Sequence, residues 1–506
     1  MFRAWRDPAG NKRASMKQPG SGTQREILRG IARRAMIERG LVPDFSPQAL
    51  AELDRIRTPA TGAQPPGRDL RDLLWCSIDN DNSRDLDQLT VAESVPGGDT
   101  RILVSIADVD IVVRKGSAID DHAQQNTTSV YTSGGIFPML PEKLSTDLTS
   151  LNQDEDRRAV VVEMVIAGDG SLRSSDIYAA TVRSHAKLVY RSVAAWLDGK
   201  GPLPEPMAAV QGLGENLQLQ DRTAQRMKTL RHEHGALNLE TVQTHVVFDA
   251  DQLLDLEAEQ QNRAQDIIED FMIAANGAAA RYLADRKFPS VRRVVHRPKR
   301  WDRMVEIASE SEFVLPPEPD SLALERFLVH ARAADPERFP DISLSLIKLM
   351  GPGEYTVEFP GEPSEGHFGL AVKDYTHSTA PNRRYPDLVT QRLLKAALSG
   401  QPVPYERDEL EALSRHCTEE EDAARKVERQ VEKSAAAMLM EARIGERFDA
   451  IVTGAAPKGT WIRLLQPPIE GRLVHGFEGV DVGHRIRVQL VHTEVARGFI
   501  DFKRLD

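Results

Sequence analysis

At 506 residues, 41% hydrophobic and 28% charged, the chain has the composition of a soluble globular protein, and about 150 residues per domain predicts three or four domains. Its net charge of -11 argues against a nucleic-acid partner only on average, because residues 1–40 carry +7 and a second basic cluster (Arg292, Arg293, Arg297, Lys299, Arg300, Arg303) stands at 292–303. Two distant cysteines, Cys76 and Cys417, exclude a disulfide scaffold and a cysteine zinc site and fit a reducing cytoplasm, and no apolar run approaches a membrane span.

In chain order, residues 1–24 read as a basic tail. Ile27, Leu28, Ile31, Ala35 and Met36 then recur at helical spacing, and Ser46 is placed to cap a second helix. This predicts a small helical unit, compatible with a helix-turn-helix, over 1–66, with 58–68 as its linker. Strand-like runs follow: LLWCSID, LDQLTVAES, ILVSIADVDIVV, RAVVVEMVIAG and IYAATVRSHAKLVY. From about Ser192 the pattern turns helical, clearest over 263–287, where Ile267, Phe271, Ala275, Ala278 and Tyr282 share one face. Further helices are expected over 321–350, 386–398 and 408–440, giving an α+β body over 67–440. Residues 441–506 revert to glycine-punctuated short strands, as in a small β-barrel.

Three segments carry chemistry. IDNDNSRDLDQLTV (78–91) clusters Asp79, Asp81, Asp85 and Asp87. Strand alternation would put Asp85 and Asp87 on one face, and a turn would return Asp79 beside them. Such carboxylates suit Mg²⁺, although an acidic hairpin turn would use the same residues. In YTHSTAPNRRYPDL (375–388), Arg383 and Arg384 precede a proline suited to a first helical turn, which makes a phosphate site or a pair salt-bridged to Asp387. Tyr131, in TTSVYTSGG, is either a base-stacking ring on a loop or a core tyrosine.

The order and wording of these segments, with IADV (106–109), PMLPEKLS (138–145), IIEDFMIAAN (267–276) and GHFGL (366–370), resemble the ribonuclease II family and its RNB catalytic domain from about Arg68 to Lys433. The resemblance implies a processive, hydrolytic 3′→5′ exoribonuclease of single-stranded RNA that releases nucleoside 5′-monophosphates by a two-metal mechanism with Mg²⁺, or Mn²⁺ in its place. It makes Asp79, Asp85, Asp87 and Arg383 catalytic, and the same aspartates with Gln88 the metal ligands. Tyr131 would stack on the 3′-terminal base, Arg384 would bind RNA, and Glu428 would line the site and repel product. Trp301 is the candidate for the family's stacking phenylalanine. Gln88 stands where the family has a second adjacent aspartate, Ser105 where it often has histidine, and Ala380 where serine is usual. Gln88 would reach the metal only if the strand alternation breaks there. The segment from 445, GERFDAIVTGAAPKGTWIRLL, resembles an OB fold of ribosomal-protein type, with Trp461, Phe448, Phe477 and His475 as candidate stacking residues. The helical unit would replace the family's cold-shock domains. A monomer without a membrane partner is expected. The alternatives are a catalytically weak RNA-binding regulator of the same fold and a metal-dependent phosphatase.

Overall fold

Thr23 and Glu26 satisfy each other's backbone donors in a capping box and so start α1 (Gln24–Ile37). Ser46 starts α2 (Pro47–Leu53) by accepting the Ala49 N–H, as its position predicts. The structure, a computed structural model, describes residues 22–59, 67–240, 243–259, 261–336, 338–362, 365–456 and 459–505. The expected basic tail up to residue 21 and most of the expected linker lie outside the described residues. The apolar face of α1 is not free-standing. Leu28, Ile31, Ala32, Ala35 and Met36 share one core with Val130, Phe137, Val427 and Val431 from the body.

The body opens with β1 (Arg68–Asp69), β2 (Cys76–Asp79), β3 (Gln88–Ser94) and β4 (Thr100–Ala107). Next come α3 (Ala118–Asn126), a hairpin of β5 (Val130–Thr132) and β6 (Gly135–Phe137), and a π-helical turn at Lys143–Leu148. The long hairpin β7 (Asp156–Ile166) and β8 (Leu172–Arg183) precedes β9 (Ala186–Val189). Together these strands form a seven-stranded mixed sheet, ordered β1-β8-β7-β4-β3-β2-β9, with parallel pairs only at its two edges. The helices α4 (Tyr190–Leu197), α5 (Glu205–Ala208) and α6 (Leu213–Glu233) follow, then a hairpin of β10 (Gln243–Asp249) and β11 (Gln252–Glu259).

The predicted central helix is α7 (Arg263–Asp285), capped by Asn262 and Gln265. Its expected face is buried throughout: Ile267, Phe271, Ala275 and Ala278 are fully enclosed in the sheet's core. Beyond it lie β12 (Ser290–Val294), α8 (Trp301–Glu310), α9 (Ser321–Ala334), α10 (Phe339–Met350) and β13 (Glu354–Glu358), which pairs with β12. Two helices, α11 (Tyr385–Leu398) and the long α12 (Arg407–Met440), complete the body. The chain ends in β14 (Arg447–Ala456), β15 (Gly459–Leu464), β16 (Glu470–His475), β17 (Arg485–Glu494) and β18 (Phe499–Arg504), closed as a barrel in the order β14-β15-β16-β18-β17. The architecture is the expected one: helical N-terminal region, α+β body, C-terminal barrel.

Candidate active site

The acidic segment sits where β2 and β3 part. Their antiparallel pairing is at Cys76↔Thr90; Asp79 ends β2 and Asp87 immediately precedes β3. Asp79 is held locally, because its Oδ1 accepts the Asn80 N–H at 2.8 Å and the Ser83 hydroxyl at 2.7 Å. The Lys187 ammonium fastens the same loop by donating to the Ser83 carbonyl at 2.6 Å. The backbone of Asp87 belongs to the sheet, since its carbonyl accepts the Ala107 N–H at 2.9 Å.

A second limb comes from far along the chain. The stretch before β5 runs antiparallel to the approach to α11: Thr128 bridges Arg384, the Ser129 N–H donates to the Arg383 carbonyl, and the Tyr385 N–H donates to the Thr127 carbonyl at 2.7 Å. This crossing joins the Tyr131 hairpin to the arginine turn. The turn then grips Asp87 twice, with the Asn382 N–H on Oδ1 and Arg383 Nε on Oδ2, each at 3.0 Å. Tyr131 donates its hydroxyl to Asp85 Oδ2 at 2.9 Å, while the residue remains 38% exposed. Four predicted residues (Asp85, Asp87, Tyr131 and Arg383) therefore converge on one place, with Asp79 at its border.

Charge is concentrated there at a cost. Burial pushes the Asp87 carboxyl up to about 7, Asp85 adds to the rise, and Arg383 opposes it. Arg383 gives Asp87 only its Nε, so both Nη groups lack a hydrogen-bond partner among the described residues. Burial pushes the Tyr190 phenol up, with Asp79 adding to the rise and Arg383 opposing it. Sequence reasoning had no signal for Tyr190. The Asn382 N–H could have been suspected from the turn-forming PNRR.

Among the described residues no three His, Cys, Asp or Glu side chains are arranged to hold a metal ion. The donor set still fits a hard dication. Two coupled carboxylates, Asp85 and Asp87, repel one another beside Asp79, and Mg²⁺ ordinarily takes one or two carboxylates and completes its shell with water and phosphate. Gln88 departs from expectation. The ladder from Gln88↔Ile106 to Ser94↔Thr100 runs without a register shift, so the expected break is not present within it. Regular alternation then turns Gln88 to the face of Thr90, whose hydroxyl donates to Gln220 on α6.

Other expectations are corrected. Arg384 is paired internally: its Nη2 donates to Asp387 at 2.7 Å and to Thr379, so its charge is used against a fully buried carboxylate. Trp301 is a core residue, 4% exposed, with its indole N–H on the Pro316 carbonyl and its ring against Phe368. The basic cluster loses Arg292 and Arg293, which are buried and paired with Glu358 and Glu421. Phe448 is also core, packed edge-on against Phe502. Phe477 and His475 are exposed, and Trp461 is half-buried beside Gly454 and Gly459. Glu428 sits near the site, where its Oε1 accepts the Tyr131 N–H at 2.9 Å.

The RNB domain family matches residues 67–400, two thirds of the chain and every part of this site but Glu428. The chain belongs to the ribonuclease II family. An RNase II-type exonuclease C-terminal S1 domain matches residues 446–505, the closed barrel. Among curated members of the family, ribonuclease R of Vibrio parahaemolyticus is 33% identical over 427 residues, 80% of this chain and 50% of that protein. Ribonuclease R of Escherichia coli is 32% identical over 425 residues, with 80% and 51% covered. The chain thus spans about half the length of these curated relatives. In fold it is similar to Mycoplasma genitalium RNase R in complex with ribose-methylated single-stranded RNA, with a TM-score of 0.84 at 23% identity over 95% of this chain and 78% of that one. The yeast protein Ssd1, a pseudonuclease, shares the ribonuclease II fold at a TM-score of 0.69 and 16% identity, covering 88% and 55%.

Proposed function

We propose that this chain is a hydrolytic exoribonuclease that trims single-stranded RNA from its 3′ end, processively, releasing nucleoside 5′-monophosphates. The observation that carries the proposal is the Asp87–Arg383 contact, with Asp85 and Tyr131 beside it, in a chain of this family. Asp79, Asp85 and Asp87 would hold Mg²⁺, or Mn²⁺ in its place. The chemistry such an ion supplies is Lewis-acid neutralisation of charge on phosphoryl oxygens.

In this proposal water attacks the last phosphodiester in line and the 3′-oxygen leaves, so each cycle yields one nucleoside 5′-monophosphate and an RNA one nucleotide shorter. Arg383 offers its Nη groups, which have no partner among the described residues, to the phosphate, where negative charge grows in the transition state. Asp87 orients that guanidinium through Nε. The exposed Tyr131 ring receives the terminal base, a stack worth roughly 1–3 kcal/mol. Trp461 and Phe477 extend a stacking surface onto the barrel. A cytoplasmic monomer is part of the proposal. What bears on the compartment is that Cys76 and Cys417 are both free, as in a reducing environment.

The second reading, a catalytically weak RNA-binding regulator, is favoured by the lack of a three-carboxylate group among the described residues. An assay with 5′-labelled single-stranded RNA and Mg²⁺ decides. The proposed activity gives a ladder shortening from the 3′ end and free nucleoside 5′-monophosphates. Binding without shortening would establish the regulator, and the absence of both shortening and binding would sink both readings.

A further inference from the structure

The Tyr131 hairpin is only three residues per strand, β5 and β6, joined through Ser133 and Gly134. So short a ribbon is at best marginally stable alone. Something outside it must fix where Tyr131 stands.

Two elements do. From α12, Glu428 accepts the Tyr131 N–H. From the other side the turn is seated on α1. A Cβ on Gly134 would lie 2.6 Å from the Leu28 carbonyl carbon and 2.7 Å from the Arg29 Cα, and nearer still to the Arg29 nitrogen. These are backbone atoms of a capped helix, which cannot swing aside as a side chain can. Gly134 has no positive φ, so backbone conformation does not call for glycine there. Close approach to α1 is what calls for it. The Arg29 guanidinium lies over the Phe137 ring at 4.9 Å, and Val130 and Phe137 share the buried core of α1 and α12.

We infer that α1 is a positioning element for the site, and that Gly134 is the positioning residue through which the N-terminal helix sets the place of the Tyr131 ring. The inference rests on the proposal that Tyr131 stacks the terminal base. Its consequence is selective: long RNA, held by many contacts, tolerates a displaced hairpin, whereas an oligonucleotide of a few residues does not.

The test is Gly134→Ala beside Tyr131→Ala and the double variant, on a 5′-labelled 30-mer and on a pentanucleotide. Gly134→Ala should lengthen the limit product and raise KM for the pentanucleotide at least about fivefold, the low end of what a base–aromatic stack is worth. Turnover on the 30-mer should stay within about twofold. The double variant should match Tyr131→Ala alone, because both changes act through one ring. A wild-type ladder for Gly134→Ala beside a lengthened one for Tyr131→Ala would overturn the inference and leave the stacking proposal standing. A wild-type ladder for Tyr131→Ala would instead remove the stacking proposal, and this inference with it. Equal slowing of both substrates by Gly134→Ala would also overturn the inference, as general loosening. If Gly134→Ala does not fold, Leu28→Ala, which trims α1 in the core shared with Val130 and Phe137, is held to the same criteria.

Discussion

Replacing Asp87 with asparagine should separate catalysis from stability. The carboxylate is 2% exposed and accepts two N–H groups, from Asn382 and Arg383. Asparagine has one acceptor oxygen, so one of those bonds is lost; a hydrogen bond to a charged group contributes about 1.5–3 kcal/mol. Against this, the native fold resists the charge itself. A carboxyl pushed from 3.8 up to about 7 carries a penalty on its ionised form of about 4 kcal/mol at 1.36 kcal/mol per pH unit. The neutral amide escapes that penalty, so the two effects nearly cancel and Tm at pH 7 should stay within a few degrees of wild type. Activity cannot be offset in this way. Losing a charged group that contacts Arg383 and, in the proposed mechanism, would help hold the metal should cost at least about 10²–10³ in single-turnover rate, the scale for one transition-state electrostatic contact. RNA affinity should be unchanged or tighter, because a negative charge near phosphate is removed. Thermal melts, RNA titrations and single-turnover trimming on the same preparation check all three. A melting temperature and an affinity that fall together with the rate would refute the reasoning and make Asp87 a folding residue.

The two adjacent arginines should behave oppositely. Arg383→Ala should lower turnover about 10²–10³-fold, with a small loss of Tm at pH 7 because the Asp87 carboxyl, already pushed up to about 7, can take a proton when its partner is removed. Arg384→Ala, which leaves the fully buried Asp387 unpaired, should destabilise by about 3–5 kcal/mol, read in urea unfolding. Trp461→Ala should weaken RNA binding by roughly 1–3 kcal/mol with a near-native melt, whereas Trp301→Ala should cost about 3–5 kcal/mol of stability and leave the RNA affinity of the folded fraction intact. His122, packed against Phe45, is held down to about 4 by burial, against the attraction of Asp44. A depressed histidine favours the fold fully above its unfolded value near 6.5, and that contribution is lost as pH falls toward 4. The wild type should lose about 2 kcal/mol more than His122→Phe between pH 7 and pH 4.5, and parallel curves would contradict this.

Periodicity made most of the fold legible because burial is one-sided. The helix over 263–287 packs one face on the sheet, so its apolar residues mark that face and Asn262 marks its start. The helical signal expected over 321–350 resolves into two helices, and the reason was present in the sequence. Asp335 precedes a proline, takes up φ -146° and ψ 85°, and ends α9, after which Pro340 suits the first turn of α10. The polar helix α3 escaped notice because AIDDHAQQN has little apolar periodicity, even though Ile119 and Ala123 are fully buried. For α1, the helix was readable but its destination was not. Its stripe fits a helix-turn-helix and the side of α12 equally well until the partner surface is known.

At the site, residue identities were legible and partnerships were not. Asp87 meets Asn382 across 295 positions of sequence, and no local pattern encodes that meeting. Arg383 and Arg384 look alike in sequence, yet Arg384 occupies the N-cap position of α11, within reach of Asp387 three residues on, while Arg383 stands one step earlier on the turn that grips Asp87. A single position of phase along the chain therefore separates a structural arginine from the one beside the acids. The same phase argument governs Gln88. Asp85 lies in irregular backbone, where side chains are free to turn toward Arg383 and Tyr131. At Gln88 the regular ladder begins, and the parity of a strand turns the next side chain to the opposite face. If that parity holds when RNA is bound, the amide is no ligand, and a carboxylate placed there by Gln88→Asp would leave the Mg²⁺ dependence of trimming where it is.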